Sequence, residues 1–378
     1  MTFKTNYFSI NIPEIITALE KYLQKEQQTR PRIVVFGDYC LDKYLYIDAD
    51  LDEPSVETGL TAYQVREKRI FAGVGGTITA NLCSLKANVD CIGVYGMDGE
   101  GFELLNILRK LTANVDGMFR SDDLFTNTYM KPMRQQNGVW TELNRLDIRN
   151  RKEVSTSLLE QIQKHLSKII SEVDAVIISD QFPPNNGSIL TAEMKTFLIS
   201  LAQQNQKVFF FCDSRERIED YQQMVVKGNA GEILTAYRRL QQSEPVHSLS
   251  INQRTLISGT VFQTDDPNQR ENELQKAGNW LSKRNKKPVL VTRGDQGAFL
   301  FEADSFVAIP AITVDPPIDI CGAGDATNAG FVLGHCLGLK LPEAAFLAGI
   351  VSSITIRQIG VTGTATISEI LSILKTLQ

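Results

Sequence analysis

Residues 32–42 read RIVVFGDYCLD, an apolar run at 33–36 that ends in a glycine and two aspartates. Uninterrupted apolar runs are typical of parallel strands that are covered by helices on both faces. In an open α/β sheet, ligands bind beyond the carboxyl ends of such strands. The stretch therefore predicts a central parallel strand, with Asp38 and Asp42 placed to hold the hydroxyls of a polyol. The alternative for either aspartate is a turn residue that caps the segment after it.

The same pattern recurs along the chain and predicts the fold class. Further apolar runs lie at 91–95, 175–178, 208–211 and 289–291, and amphipathic stretches lie at 102–111, 156–170, 189–203 and 271–283. Three more helical stretches follow at 326–337, 342–356 and 368–377. Strands that alternate with helices favour a doubly wound α/β fold with a mostly parallel sheet.

Other segments depart from this alternation. Residues 1–30 are expected to form a helical extension in front of a single domain at 31–378. Segments 45–71 and 126–147 are rich in β-branched and aromatic residues, which predicts strands outside the main sheet that form a small β lid. An exposed apolar face of that lid needs a cover, so a homodimer through the lid is expected. The polar segment 243–268 is interpreted as a loop or hairpin insertion.

Composition excludes several classes of protein. Of 378 residues, 39 are Lys or Arg and 44 are Asp or Glu, and the net charge of −5 argues against a nonspecific nucleic-acid binder. Six cysteines are scattered without a C-x-x-C pair and accompany three histidines, so neither a zinc site nor a disulfide framework is predicted. The amino terminus lacks a signal-peptide layout and no apolar run reaches 18 residues, so we expect a cytoplasmic protein without a membrane partner.

The stretch DICGAGDATNAG at 319–330 places glycines at a loop-to-helix junction. Backbone N–H groups and the helix dipole favour an anion there, and Asp325 in the first turn is placed to take a proton from an attacking hydroxyl. The alternative is a helix-capping aspartate beside a tight turn. A P-loop is absent from the sequence, and Thr327 stands where a dinucleotide-binding motif has its third glycine.

Two further stretches suit a nucleotide. KGNAGE at 227–232 places Asn229 and Glu232 at a helix start, where both side chains can organise water around Mg²⁺, although the same pattern caps helices. TRGDQG at 292–297 follows an apolar run and forms a turn that can approach a nucleotide closely, or a plain β-turn.

Taken in this order, these motifs resemble the ribokinase or PfkB family of carbohydrate kinases, from about residue 32 to the end of the chain. Within the family, the sequence is most similar to the heptose-phosphate kinase domain of ADP-heptose synthesis. The resemblance rests on G-D-x-x-L-D-x-Y at 37–44, on N-R-L-D at 144–147 and on G-A-G-D at 322–325. It implies ATP-dependent phosphorylation of a hydroxyl of a sugar or sugar phosphate, with heptose 7-phosphate as one candidate, Mg²⁺ as cofactor and a monovalent cation as a further candidate.

By position, the resemblance assigns a role to each motif residue. Asp325 is the implied general base, and the N–H groups of Gly322, Ala323 and Gly324 are the implied anion hole. Asn229 and Glu232 are implied to support the Mg²⁺–ATP phosphates. The implied nucleotide-side turn contains Thr292, Gly294 and Gly297. The implied acceptor contacts are Asp38, Asp42, Gly73, Gly75, Gly76 and Thr77. Thr77 stands where the family usually has asparagine, and Cys321 replaces the usual Thr or Ser. Positioning and electrostatic stabilisation would supply most of the rate.

The acceptor and the activity leave alternatives open. A phosphorylated acceptor needs cations near the lid, and Lys131, Arg134 and Arg145 are candidates, although they also suit a solvated strand. Thr77 and the insertion also fit a catalytically weak sugar- or nucleotide-binding regulatory protein. A kinase for a nucleoside or vitamin alcohol fits less well, because such sites tend to be apolar and Asp38 and Asp42 suit a polyol.

Overall fold

The computed structural model describes residues 9–136, 138–241, 266–303 and 305–378. The insertion predicted at 243–268 lies outside the described residues except for its last three. The α-helices are α1 Ile12–Leu23, α2 Gly75–Ser84, α3 Gly99–Lys110, α4 Thr156–Ile169, α5 Ala192–Gln204, α6 Ala230–Gln241, α7 Pro267–Asn285, α8 Ala323–Cys336, α9 Leu341–Thr355 and α10 Ile367–Thr376. None of these helices combines the length and apolar character needed to cross a bilayer.

The strands fall into a main sheet, a small sheet and a short hairpin. Their bounds are β1 Arg32–Gly37, β2 Tyr39–Ile47, β3 Glu53–Pro54, β4 Thr61–Ala62, β5 Val65–Val74, β6 Asn88–Gly96, β7 Asn114–Ser121, β8 Thr128–Gln136, β9 Val139–Glu142, β10 Leu146–Ile148, β11 Ala175–Asp180, β12 Phe209–Ser214, β13 Val225–Asn229, β14 Val289–Thr292, β15 Ala298–Glu302 and β16 Ser305–Ile309.

The main sheet has nine strands in the order β16-β15-β14-β13-β12-β11-β1-β6-β7. Strands β14 to β7 along this order are parallel, and β15 and β16 add an antiparallel edge. Every apolar run singled out in the sequence lies in one of the parallel strands. The predicted doubly wound α/β sheet is confirmed.

Helices cover both faces of this sheet because its strands are apolar on both sides. In β1, Ile33 and Val35 pack into one core with α1, α2, α3, α8, α9 and α10. Val34 and Phe36 pack into the opposite core with α4, α5, α6 and α7. Strand order reverses at β1, which lies between β11 and β6. A crevice therefore opens at the carboxyl ends of β1 and β11, where ligands bind in such folds.

The small sheet continues directly from β1. Strand β2 begins at Tyr39, with only Asp38 between it and the end of β1. It pairs with β5 on one side and β8 on the other. Strand β10 extends the sheet beyond β8, and β9 also pairs with β8. The small sheet thus starts at residue 39 rather than 45, because the chain leaves the main sheet and enters the small one without a loop.

Helix α1 packs its apolar face onto the main domain. Ile15 and Leu19 are fully buried, and the Tyr22 hydroxyl donates a hydrogen bond of 3.0 Å to the carbonyl of Leu85. Pro13 stands in the first turn, where its missing N–H costs no hydrogen bond. The described part of residues 1–30 is therefore built into the core that also holds α10.

Candidate active site

The first turn of α8 stands at the crevice. Gly322 caps the helix in the left-handed region with a φ of 79°, and the Ala326 amide donates to its carbonyl at 2.9 Å. The Ala323 amide donates to the Ile320 carbonyl at 3.2 Å, whereas the amides of Gly322 and Gly324 donate to no acceptor among the described residues. Two of the three amides of the expected anion hole are therefore left for a ligand, whereas the turn already uses the Ala323 N–H; anion binding there stays a prediction.

Asp325 lies in the first turn of α8, half-buried at the crevice. Burial raises its pKa to about 7, and the negative charge of Asp213 adds to this, while the cations Lys227 and Arg215 act against it. Within the described residues, no group donates a hydrogen bond to this carboxylate. A carboxylate that titrates near neutrality and is free of donors suits a general base.

A buried polar network lies behind this turn. Lys227 Nζ is 2.9 Å from Asp213 Oδ2, and Asn328 Nδ2 donates to the same oxygen at 2.7 Å. Asp213 and Lys227 are register neighbours on β12 and β13. Sequence reasoning gave Asp213 no role, although it follows the apolar run at 208–211 as Asp38 follows that at 33–36.

Asp42, the expected acceptor contact, lies on the small sheet in β2. Its Oδ1 is 2.8 Å from Lys131 Nζ, which also donates to the Tyr44 hydroxyl at 3.1 Å. Gly73 lies against this carboxylate, since a Cβ at position 73 would be 2.6 Å from Asp42 Oδ2 and 2.6 Å from Cys40 Sγ.

The Cys40 thiol is buried against the same glycine, Gly73. Burial raises the pKa of this thiol well above the usual value, and the charges of Asp42 and Asp325 raise it further.

Asp38 is anchored at the carboxyl ends of β1 and β11, where the crevice opens. Its side chain is buried, and its Oδ2 accepts hydrogen bonds from the backbone amides of Gln181 and Phe182 at 2.8 and 2.7 Å. This carboxylate therefore caps the segment after β11 and not the segment that follows Asp38 in the chain. Its contact with an acceptor stays a prediction. Because β2 starts at residue 39, Asp42 is carried onto the small sheet, away from this cap.

The glycine turn is split between a strand and a helix. Gly73 belongs to β5, whereas Gly75 and Gly76 begin α2. Thr77 is buried, its hydroxyl donates to the Ala72 carbonyl at 3.2 Å, and its methyl lies 3.1 Å from the place of a Cβ on Gly322. Thr77 therefore packs against the start of α8, and its hydroxyl is already hydrogen-bonded to the backbone.

The expected lid cations separate. Lys131 joins Asp42, and Arg145 forms a forked pair with Asp147 at 2.6 and 2.9 Å. The Arg145 guanidinium also lies 5.0 Å from the ring centre of Tyr129, the register partner of Asp42. Arg134 instead pairs with Asp52 at 2.7 Å. Its register partner is Ile47, five positions beyond Asp42, which puts it about 17 Å along the strand.

The nucleotide-side residues come together at the ends of β13 and β14. Asn229 and Thr292 are register neighbours, and Gly294 and Gly297 lie in the turn that follows β14. The Asn229 amide donates to Glu232 Oε2 at 2.7 Å, and the Glu232 amide donates to Asn229 Oδ1 at 2.9 Å. This reciprocal pair caps α6, as the capping alternative predicts, and it leaves Glu232 Oε1 for water. Burial, followed by the charge of Asp213, raises the pKa of Glu232.

Comparison with known proteins identifies the family of the chain. The model of the pfkB family carbohydrate kinases matches residues 30–367. The chain belongs to this family. It is therefore a carbohydrate kinase, a phosphotransferase that acts on a sugar. This confirms the family that the G-A-G-D and G-D-x-x-L-D motifs indicated.

Curated relatives are similar at low identity. A bifunctional protein HldE of Sulfurimonas denitrificans is 26% identical over 340 residues, which cover 90% of this chain and 63% of that protein. A bifunctional protein HldE of Nitratiruptor is 25% identical over 349 residues and is covered to 64%. The chain thus spans less than two thirds of the length of these two relatives.

Solved structures share the fold. Phosphofructokinase-2 from Escherichia coli, in complex with potassium, superposes with a TM-score of 0.67 at 17% identity, covering 92% of this chain and 99% of that one. Arabidopsis thaliana ribokinase, complexed with ribose and ATP, gives 0.61 at 16% identity with the same coverage of both chains. These likenesses establish a ribokinase-like α/β fold.

Proposed function

We propose that the protein transfers the γ-phosphoryl group of ATP to a hydroxyl of a phosphorylated sugar, with Asp325 as the general base. One observation carries this proposal: a carboxylate with a pKa of about 7 stands in the first turn of α8, next in the chain to Gly324, whose amide has no acceptor among the described residues, and the charge of Asp42 acts on it. An acceptor hydroxyl held by Asp42 comes next to a base and an anion site together.

In the proposed step, Asp325 takes the proton of the acceptor hydroxyl. The hydroxyl oxygen then forms a bond to the γ-phosphorus, and the bond from that phosphorus to the β–γ bridging oxygen breaks. The electron pair stays on that oxygen and leaves with ADP. The amides of Gly322 and Gly324 donate to the transferring group, where charge develops in the transition state.

Mg²⁺ fits the nucleotide side through water. The described residues hold no cluster of three or more His, Cys, Asp or Glu side chains suited to a directly bound metal. Glu232 Oε1 is left over from the helix cap and can hold a water of a phosphate-bound Mg²⁺, with Asn229 next to it. Bound Mg²⁺ would neutralise phosphate charge.

A monovalent cation fits near Asp319. The Asp319 carboxylate accepts the amides of Cys321 and Gly360, both at 3.0 Å, and so joins the start of α8 to the loop after α9. In that loop the hydroxyl oxygen of Thr362 is buried without a hydrogen-bond partner in the described structure. An unsatisfied buried oxygen in the loop that this carboxylate holds suits a cation such as K⁺.

The acceptor we propose is a heptose phosphate. The HldE relatives support this choice, and so do two arginines above the acceptor side. Arg145 and Arg149 both pair with Asp147, and both lie about 5 Å from the ring centre of Tyr129, at 5.0 and 5.2 Å. Arginine recognises phosphate through two parallel hydrogen bonds, so this pair suits an acceptor phosphate.

The small sheet is the proposed dimer surface. Its side chains Val139, Trp140 and Leu146 are 67%, 44% and 60% exposed. A second copy of the sheet would cover these apolar groups. Light scattering on the purified protein should give twice the monomer mass, whereas a monomer at all concentrations would contradict this surface.

A panel of sugars and sugar phosphates, scored by ADP release with Mg²⁺, tests the function. We expect a phosphorylated heptose to give the highest kcat/KM, and Asp325→Asn to lower kcat by about 10²-fold or more. The matched control is Asp220→Asn, since Asp220 lies outside the crevice and pairs with Lys195. Tight binding without phosphate transfer would favour a regulatory binding protein instead, and unchanged turnover in Asp325→Asn would refute the base.

A further inference from the structure

A buried lysine lies directly beneath the first turn of α8. Lys227 is 5% exposed, and it lies on β13 directly opposite Asp213 of the neighbouring strand β12, with which it pairs. Its Nζ lies 3.1 Å from the place where a side chain at residue 324 would begin. The ammonium group therefore stands against residue 324, and a side chain there would press on it.

Stability alone does not account for this pair. Taking two charges out of water is expensive, and replacing a buried ion pair by apolar side chains is often neutral or stabilising. The Asp213 oxygen is shared between Lys227 and Asn328, which fixes both side chains at the point where α8 meets the sheet. A cation fixed this firmly, beside an anion site, suits electrostatic preorganisation.

We propose that Lys227 is a positioning residue for phosphoryl transfer, which keeps Asp325 ionised and strengthens the anion site at Gly324. This inference rests on the proposed function. It deepens that function by naming the charge that allows a base to work in a half-buried site.

The charges around Asp325 have opposing effects. Burial raises its pKa first, and Asp213 and Asp42 raise it further, whereas Lys227 and Arg215 lower it. These groups come from β12, β2, β13 and the residue that follows β12. Lys227 is itself held charged: burial alone would lower its pKa, but the carboxylates of Asp213 and Glu232 raise it above its usual value.

Opposite shifts test the inference in the full-length protein. An opposite charge within a few ångströms lowers a carboxyl pKa by about 1 to 3 units, so Lys227→Met should raise the Asp325 midpoint by that amount. Asp213→Asn should lower it, because a like charge is removed. Infrared titration of ¹³C-labelled aspartate, with the Asp325→Asn spectrum subtracted, reports this midpoint without any turnover. A loss of local packing would move both variants the same way, towards the value of an exposed aspartate.

Turnover provides the second readout. We expect Lys227→Met to lower kcat by about 10²-fold, the effect of losing one preorganised group. The double variant Asp213→Asn/Lys227→Met leaves no unpaired buried charge, so it keeps the fold if Lys227→Met alone does not. Its kcat should stay at least tenfold below that of the wild type. The control is Lys195→Met, because Lys195 on α5 forms a comparably buried pair with Asp180 at 3.1 Å.

Each measured outcome supports or overturns the proposed role of Lys227. An unchanged Asp325 midpoint in Lys227→Met, or wild-type kcat in the double variant, overturns the role of Lys227. Equal losses of kcat in Lys195→Met would also overturn it, since any buried lysine would then serve. If the wild-type protein phosphorylates no acceptor, the proposed function fails, and the infrared titration still decides whether Lys227 keeps Asp325 ionised.

Discussion

Charged groups are buried at the edge of the main sheet, whereas the arginines of the small sheet are more exposed. Behind α8, Asp213 and Lys227 are each 5% exposed and Asn328 is fully buried. On the small sheet, the Lys131–Asp42 pair is also largely buried, but the Arg145 and Arg134 side chains are 40% and 28% exposed. Charges act strongly where water is excluded and weakly where it screens them. Under the proposed function, the main-sheet edge therefore serves the chemical step and the small-sheet arginines serve the choice of the acceptor.

The pH dependence of kcat/KM should come from Asp325 at the main-sheet edge. The pKa of Asp325 is raised to about 7, so its ionised fraction falls as the pH drops below 7. We expect kcat/KM to fall about tenfold per pH unit there, with a total loss of about 10²-fold at pH 5. An aspartate with an ordinary pKa would lose activity only near pH 4.

Arg145→Ala serves as the control for this profile. It removes a small-sheet cation, so it should lower kcat/KM at every pH and leave the acid limb in place. If the acid limb moves with Arg145, the two regions do not divide their tasks as described.

Gly73→Ala tests the contact between the two regions. A methyl at this position meets Asp42 Oδ2 and Cys40 Sγ at 2.6 Å, so the acceptor carboxylate has to move. We expect about a tenfold or larger rise in the acceptor KM and a loss of about 1–3 kcal/mol in the free energy of unfolding. Gly99→Ala is the matched control, because a Cβ there meets nothing within 4 Å. Denaturant titration and initial rates measure both, and equal behaviour of the two variants would show that Gly73 has no special contact.

The smallest expected effect separates two arginines of the small sheet. Arg145 lies over Tyr129 beside Asp42, whereas Arg134 pairs with Asp52 farther along the strand. Arg145→Ala should raise the KM for a phosphorylated acceptor several-fold to tenfold, since a charged hydrogen bond contributes about 1.5–3 kcal/mol before screening. Arg134→Ala should change it by less than about twofold. The reverse order would move the acceptor phosphate to the far end of the sheet.

Sequence reasoning predicts the main sheet because each strand has its own local pattern. The apolar runs at 33–36 and 289–291 needed no knowledge of their partners. Asp213 and Lys227 are 14 positions apart and meet only through strand register, so no local pattern pairs them.

Asp38 and Asp42 show a second limit of the sequence. They follow the same strand four positions apart, and their separation depends on the chain entering a new sheet at residue 39. Asn229 and Glu232 show a third limit, since the side-chain pair caps a helix and still leaves one carboxylate oxygen free, so the observed cap does not decide the predicted role toward Mg²⁺.

The single residue between β1 and β2 has a mechanical consequence. With Asp38 anchored by the amides of Gln181 and Phe182, the peptide at this junction works as a pivot fixed to the main domain. Asp42 lies four residues beyond it on a short rigid arm. Any tilt of the small sheet about this junction would therefore change the distance between Asp42 and the first turn of α8. An added residue between β1 and β2 would change the same distance.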